Sequence, residues 1–291
     1  MADKPGLKPF AHYLLGLLMA TQRTAAGNTV YFLGEISASG WWYYFPIVYF
    51  LKVPLAFHIL CLIALIFAIL TIKKVRIKKD WLKNHFIEFS MLLFLAIYWF
   101  VSIKGNLNIG IRHILPTFPF AYILVSLGIK KWLETISFKK FAFAIILILV
   151  GWYVFSSIST FPHYLTYFNE IAGGSKNGYK FTVDSNYDWG QDLKRLKNWM
   201  EKNKIDKIYL DYFGGADVSY YLKEKYLPWQ GDKPKNELEK GSYLAVSATL
   251  LQGGKGKPVK GFNQPTGYYN WLNQYTPVAR AGNSIFIYYI P

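Results

Sequence analysis

The chain has 291 residues, of which 53% are apolar, 19% aromatic and only 17% charged. That balance is too apolar for an ordinary soluble domain and too polar for a chain embedded in membrane throughout. The formal net charge of +16 invites a nucleic-acid reading, but most of the excess sits in one place. Residues 1–159 hold 16 Lys and Arg against 5 Asp and Glu, whereas residues 160–291 hold 17 against 12. Short basic segments between apolar runs are what the positive-inside rule expects, so no nucleic acid is needed to explain the charge. The single cysteine, Cys61, lies in an apolar run, allows no disulfide within one chain and reads as a small hydrophobe.

Taken in chain order, Tyr13 to Met19 is apolar but too short to cross a bilayer, so it is expected at the interface or against other helices. The cluster Trp41-Trp42-Tyr43-Tyr44-Phe45 fits an interfacial aromatic belt. A first span is predicted over Pro46–Ile72, whose segment from Val53 on is 20 residues free of charge, roughly 30 Å of helix. Further spans are predicted over Phe86–Ile103, Ile114–Ile129 and Phe141–Ile158, giving about four transmembrane helices. The loop Lys73-Lys74-Val75-Arg76-Ile77-Lys78-Lys79 and the loop with Lys130, Lys131, Lys139 and Lys140 are strongly basic; the loop between the second and third spans has only Lys104 and Arg112. The two basic loops are therefore expected in the cytoplasm, and residues 1–45, the Lys104–Arg112 loop and everything after Ser159 outside. Residues 1–40 offer neither a signal nor an upstream span, so an N-terminally truncated or split gene product is expected.

After Phe161-Pro162 the pattern becomes globular. Strands are predicted over Tyr179–Asp184, Lys207–Phe213, Ser242–Ala248 and Ser284–Ile290, and helices over Gln191–Lys202, Val218–Lys225 and Gly267–Tyr275. This alternation predicts a small α/β soluble domain, residues 160–291, with a largely parallel sheet. The expected organisation is thus an extracytoplasmic or interfacial segment (1–45), a multi-span α-helical membrane region (46–159) and an extracytoplasmic α/β domain, all anchored in the cytoplasmic membrane.

Four groups of residues could carry chemistry. Lys52 falls about seven residues past the aromatic belt, at a depth where an ionisable group is either functional or snorkelling to the headgroups. Arg112-His113 opens the third span before Pro116 and Pro119; with Lys52 and Lys104 it would share one membrane face, either as interfacial anchors or as a phosphate site suited to bidentate Arg contacts. The densest polar motif is Asp184-Ser-Asn-Tyr-Asp-Trp-Gly-Gln-Asp192. Asp184, Asn186, Asp188 and Asp192 fall at positions 1, 3, 5 and 9 of a calcium-loop pattern, but Trp189 stands where that loop needs Gly and Arg195 where it needs Glu. The other readings are an N-capped helix, with Asp188 as cap and Gln191 as its capping-box partner, and a sugar or acceptor site. Glu35 is the one carboxylate, apart from Asp3, expected outside the membrane before residue 160, and hence a weak candidate for a general base. Nucleotide-binding glycine motifs, zinc-ligand spacing and a serine-nucleophile elbow are lacking.

Several segments together carry a resemblance: Tyr-Phe-Leu-Gly-Glu ending at Glu35, Gly-Trp-Trp-Tyr-Tyr-Phe-Pro with Lys52 and Pro54, Arg-His-Ile-Leu-Pro from Arg112, Tyr-Leu-Thr-Tyr-Phe-Asn-Glu-Ile-Ala-Gly-Gly from Tyr164, and Asp-Ser-Asn-Tyr-Asp-Trp-Gly-Gln-Asp-Leu from Asp184. In that order they resemble the C-terminal half of a bacterial branch of glycosyltransferase family 39, a group similar to protein O-mannosyltransferases and the lipid A aminoarabinose transferase. The resemblance implies a multi-span enzyme that takes a sugar from a polyprenyl-phosphate carrier and transfers it to an extracytoplasmic acceptor, usually without a nucleotide-sugar donor and with a membrane lipid carrier as partner; no divalent metal is expected. It also implies hallmark acidic residues in a first extracytoplasmic loop that no segment here matches, so the catalytic residue stays unassigned and a separate polypeptide is one source of the missing half. Arg112 matches the Arg before the family's Leu-Pro. The alternative is a non-catalytic, membrane-anchored module that binds glycan or a partner. Transport is the weakest reading, because the four spans show no internal repeat.

Overall fold

The computed structural model describes residues 4–72 and 81–291; the basic stretch Lys73–Lys79 lies outside the described residues. The chain opens with α1 (Lys8–Ala26), which carries Tyr13–Met19 within a longer helix whose side chains are nearly all exposed, and continues through a hairpin of β1 (Val30–Phe32) and β2 (Glu35–Ser37). Then come α2 (Tyr44–Lys52), α3 (Leu55–Ile72), the single turn α4 (Trp81–Asn84), α5 (Phe86–Lys104), a 3₁₀ turn at Ile111–Thr117 running into α6 (Phe118–Thr135), and α7 (Lys139–Ser159). Among the described residues three helices are long and apolar enough to cross a membrane: Phe86–Lys104, Ile111–Thr135 and Lys139–Ser159. The α2–α3 pair raises this to four if it counts as one span.

The span expected over Pro46–Ile72 is this pair, and it bends by 111° between Lys52 and Leu55. Pro54 has no amide hydrogen and disfavours helical backbone at the residue before it; Val53 is accordingly extended, at φ −101° and ψ 140°. The carbonyls freed at the break are taken from outside the helix. Asn169 Nδ2 donates to Phe50 O (2.6 Å) and Val53 O (3.1 Å), and Asn169 N donates to Leu51 O (2.8 Å). Beyond the break α3 packs on α6 and α7, and a Cβ on Gly128 would lie 2.9 Å from Ala64 Cβ, so two small residues let α3 and α6 close up.

The C-terminal part holds α8 (Leu193–Lys202), β3 (Ile208–Asp211), α9 (Val218–Leu222), β4 (Tyr226–Pro228), β5 (Ser242–Ser247), α10 (Ala248–Gly253), β6 (Lys257–Pro258), β7 (Ala279–Ala281) and β8 (Ile285–Ile290). Five strands form a sheet in the order β4-β3-β5-β8-β7. The expected parallel arrangement holds for β4, β3 and β5; β8 and β7 are antiparallel, so the sheet is mixed. Period-two alternation sorts the strands' side chains onto two faces. Ala245, Ile285 and Ile287 pack with Leu193, Leu196 and Met200 of α8, whereas Leu244, Val246, Phe286 and Tyr288 pack with Tyr187, Leu251 and Tyr269.

Two expected elements differ. Tyr179–Asp184 is not a strand: it holds a 3₁₀ turn at Gly178–Lys180 and one isolated bridge from Thr182 to Phe32, and Asp184 (φ +53°) adopts a left-handed backbone that ends any extended run. Gly267–Tyr275 is not a full helix: Gly267 sits at φ +79° and only Asn270–Gln274 winds, as a 3₁₀ turn. A three-stranded sheet, β1-β2-β6, joins residues 30–37 to the C-terminal part, and Tyr31, Ile36 and Leu51 enter the same core as Phe286.

Candidate functional site

The segment Asp184–Trp189 lies where the helical and sheet parts meet, and the side chains of Ser185, Asn186, Tyr187 and Asp188 are all hydrogen-bonded. Asn186 is buried. Its Nδ2 donates to Tyr44 Oη (2.7 Å) and Thr182 Oγ1 (3.2 Å), and its Oδ1 accepts from Ile111 N (2.9 Å). Ser185 Oγ donates to Ile109 O. Gly110, at φ +104°, allows this approach, since a Cβ there would fall 3.1 Å from Asn186 Oδ1 and closer to Ser185 Oγ.

Lys52 ends α2 at the break. Its ammonium donates to Leu165 O (2.8 Å) and to Asn186 O, and sits 4.6 Å from the centroid of the Phe168 ring. The ammonium is therefore turned inward onto carbonyls, which corrects the snorkelling alternative. The side chain also lines a groove of about 200 Å³ with Pro54, Phe118, Tyr122, Tyr153 and Tyr167, between the apolar helices. Tyr122 and Tyr153 hydroxyls meet at 3.0 Å in this wall.

Arg112 and His113 face different surroundings from Lys52. The Arg112 guanidinium stacks 4.5 Å above the ring of Trp189, and the His113 ring stacks on Phe45 at 5.5 Å and lines a groove with Phe94, Tyr98 and Val101. Among the described residues no carboxylate is in ion-pair contact with Lys52 or Arg112. Lys104 is exposed at the end of α5. Glu35 is exposed on β2, in register with Lys257 of β6, and no hydrogen bond joins it to the Asp184–Trp189 segment among the described residues.

The three aspartates of the motif divide by environment. Asp184 is half-buried; burial raises its carboxyl above the usual carboxylate range, against the pull of the Ser185 amide and the charges of Arg112 and Arg23. Asp188 is wholly buried, accepting from Thr249 N (3.0 Å) and Gly190 N (3.3 Å), and burial pushes its carboxyl up to about 6. Asp192 is also wholly buried, accepting from Asn283 N (3.0 Å), Ser284 N (2.9 Å) and Arg195 Nη1 (2.6 Å).

These partners correct the capping expectation. The residue preceding α8 is Asp192, without a side-chain cap bond, while Asp188 receives the amide of Thr249 near the start of α10. Gln191 accepts from Trp189 N and donates to Tyr187 O, holding the loop rather than the helix end. The carboxylates of Asp188 and Asp192 point at separate sets of amides, so the calcium-loop spacing does not become a ligand set; among the described residues no three His, Cys, Asp or Glu converge.

Sequence reasoning missed Trp189 as the partner of Arg112, Thr249 as the partner of Asp188, and Asn169 as the clamp on the helix break. Only Trp189 left a signal, as a large aromatic set in a polar loop. Compared with known proteins, the chain matches no family model, no curated relative and no solved structure.

Proposed function

We propose that this chain is the lipid-binding and C-terminal part of a membrane glycosyltransferase that uses a polyprenyl-phosphate sugar, with its α/β part on the extracytoplasmic side of the cytoplasmic membrane. The side follows from the basic loops at Lys73–Lys79 and Lys130–Lys140 by the positive-inside rule. The observation that carries the reading is the groove at Lys52. It joins a cation that, among the described residues, has no carboxylate in contact to a wall of phenols and apolar side chains between helices, matching a phosphate headgroup that trails a hydrocarbon chain. In such a reaction an acceptor hydroxyl attacks the anomeric carbon, the C–O bond to the lipid phosphate breaks, and the departing phosphate's charge is stabilised by Lys52. The proton acceptor belongs to the first extracytoplasmic loop that the resembled family carries.

The test is a titration of the detergent-purified chain with undecaprenyl phosphate. Saturable binding that Lys52→Gln weakens about tenfold, with the folded circular-dichroism spectrum retained, supports the reading. Equal binding by wild type and variant overturns the place given to Lys52. The same lack of a contacting carboxylate favours a second reading, a binding module without turnover; lipid binding without sugar transfer in the presence of any N-terminal half would select it.

A further inference from the structure

Outside the Lys52 groove, Trp189, with Arg112 over its ring, fronts a second cleft. Strands β3 and β5 are parallel, and in open α/β sheets ligands bind outside the carboxyl ends of parallel strands. Tyr212-Phe213-Gly214-Gly215 follows directly from the end of β3, and Phe213 N donates to Ser247 Oγ at the end of β5 (3.0 Å). This loop and Trp189 line an open cleft of about 530 Å³. Trp189 is 55% exposed, too much for a core side chain of its size in so well packed a segment.

Its position is held by backbone contact rather than by burial. Tyr212 Oη donates to Gly190 O (2.7 Å), and a Cβ on Gly190 would fall 2.7 Å from Gly214 Cα. The two loops thus touch glycine to glycine, with the Tyr212 phenol packed against both glycines. The Arg112 guanidinium, its carbon 4.5 Å over the centroid of the Trp189 ring, offers N–H donors beside the indole. Among the described residues they make no hydrogen bond and no ion pair, although the Asp184 carboxyl lies within their field.

We infer that this cleft binds an anionic saccharide: a pyranose ring set against the Trp189 indole, with its phosphate or carboxylate on the guanidinium edge of Arg112. An indole offers a broad apolar platform to the C–H face of a sugar ring. The planar guanidinium offers paired donors to an oxyanion. Small-ligand clefts combine such an aromatic wall with a few placed polar groups. The site is separate from the Lys52 groove and would stand if that groove bound no lipid.

The test uses the full chain in detergent, titrated calorimetrically with glucose 1-phosphate, glucuronate, glucose and inorganic phosphate. The two anionic sugars are expected to bind at least about tenfold more tightly than glucose or phosphate alone. Trp189→Ala and Arg112→Gln should each remove about tenfold or more of that affinity, with the melting temperature kept. Glucose binding as tightly as glucose 1-phosphate would overturn the role of Arg112, and phosphate binding as tightly would overturn the role of Trp189. No binding of any probe, or binding indifferent to both substitutions, would overturn the site.

Discussion

Replacing Asp188 by Asn should flatten the dependence of stability on pH. Asp188 is wholly buried, and burial holds its carboxyl at about 6 in spite of the amides of Thr249 and Gly190. An Asp in the unfolded chain titrates near 3.9 (about 2 units lower). Between those values the folded state keeps a proton that the unfolded state has released, so stability falls as pH rises. The contribution is complete below about pH 4, is lost as pH climbs through about 6, and changes little above about 7. A gap of about 2 units corresponds to about 3 kcal/mol. Asp188→Asn cannot titrate but keeps an acceptor for Thr249 N. Asp184 and Asp211 are raised in the same direction, so the wild-type curve includes their contributions, and subtracting the variant's curve isolates Asp188. Unfolding of the full chain in detergent, followed by circular dichroism from about pH 4 to about 7, should show wild type losing about 3 kcal/mol relative to the variant. Parallel curves would refute the burial argument.

Other substitutions probe the joint between the helical and sheet parts. Asn169→Ala strips the side-chain donors from Phe50 O and Val53 O and should cost about 1–3 kcal/mol, read as a lower melting temperature; an unaltered melt would refute the clamp. Asp192→Ala leaves the Asn283 and Ser284 amides and Arg195 without their acceptor and should cost about 3–5 kcal/mol, measured by urea unfolding, with Asp192→Asn recovering part of it. Gly110→Ala meets both a left-handed φ and the Asn186 amide, so about 1–3 kcal/mol and earlier proteolysis near residues 184–189 are expected; wild-type resistance would contradict that approach.

What the sequence revealed depended on how local the cause was. The apolar helices and the strands Ile208–Asp211, Ser242–Ser247 and Ile285–Ile290 announce themselves by hydropathy and period, because burial of one face or of the whole segment is written into each run. The bend after Lys52 was also legible in principle, since Pro54 forbids a continuous ladder, yet hydropathy alone runs straight through it. The strand expected over Tyr179–Asp184 failed because its aromatic residues serve tertiary packing, Tyr179 against Phe286 at 4.8 Å, rather than a ladder. Within the site, the crowding of aspartates at 184–192 marked the right segment. Which carboxylate goes where depends on Thr249, Asn283 and Ser284, more than 60 residues away, and no local spacing encodes that.

The same long-range bonds explain why one short segment answers to both parts of the molecule. Asn186 takes the Ile111 amide, donates to Tyr44 and accepts from Lys52, while two residues on Asp188 takes the Thr249 amide at the edge of the sheet. Trp189, next in line, leans on Arg112 from the start of the third apolar helix. A displacement of Lys52 by an anion in its groove would therefore remove a donor from Asn186 O, three residues from the indole that fronts the outer cleft. Coupling of this kind is reciprocal in binding free energy. If undecaprenyl phosphate tightens glucose 1-phosphate binding by some factor, glucose 1-phosphate must tighten the lipid by the same factor, whereas mutual weakening that grows without limit as either probe is raised would show that the two compete for a single site rather than occupy two.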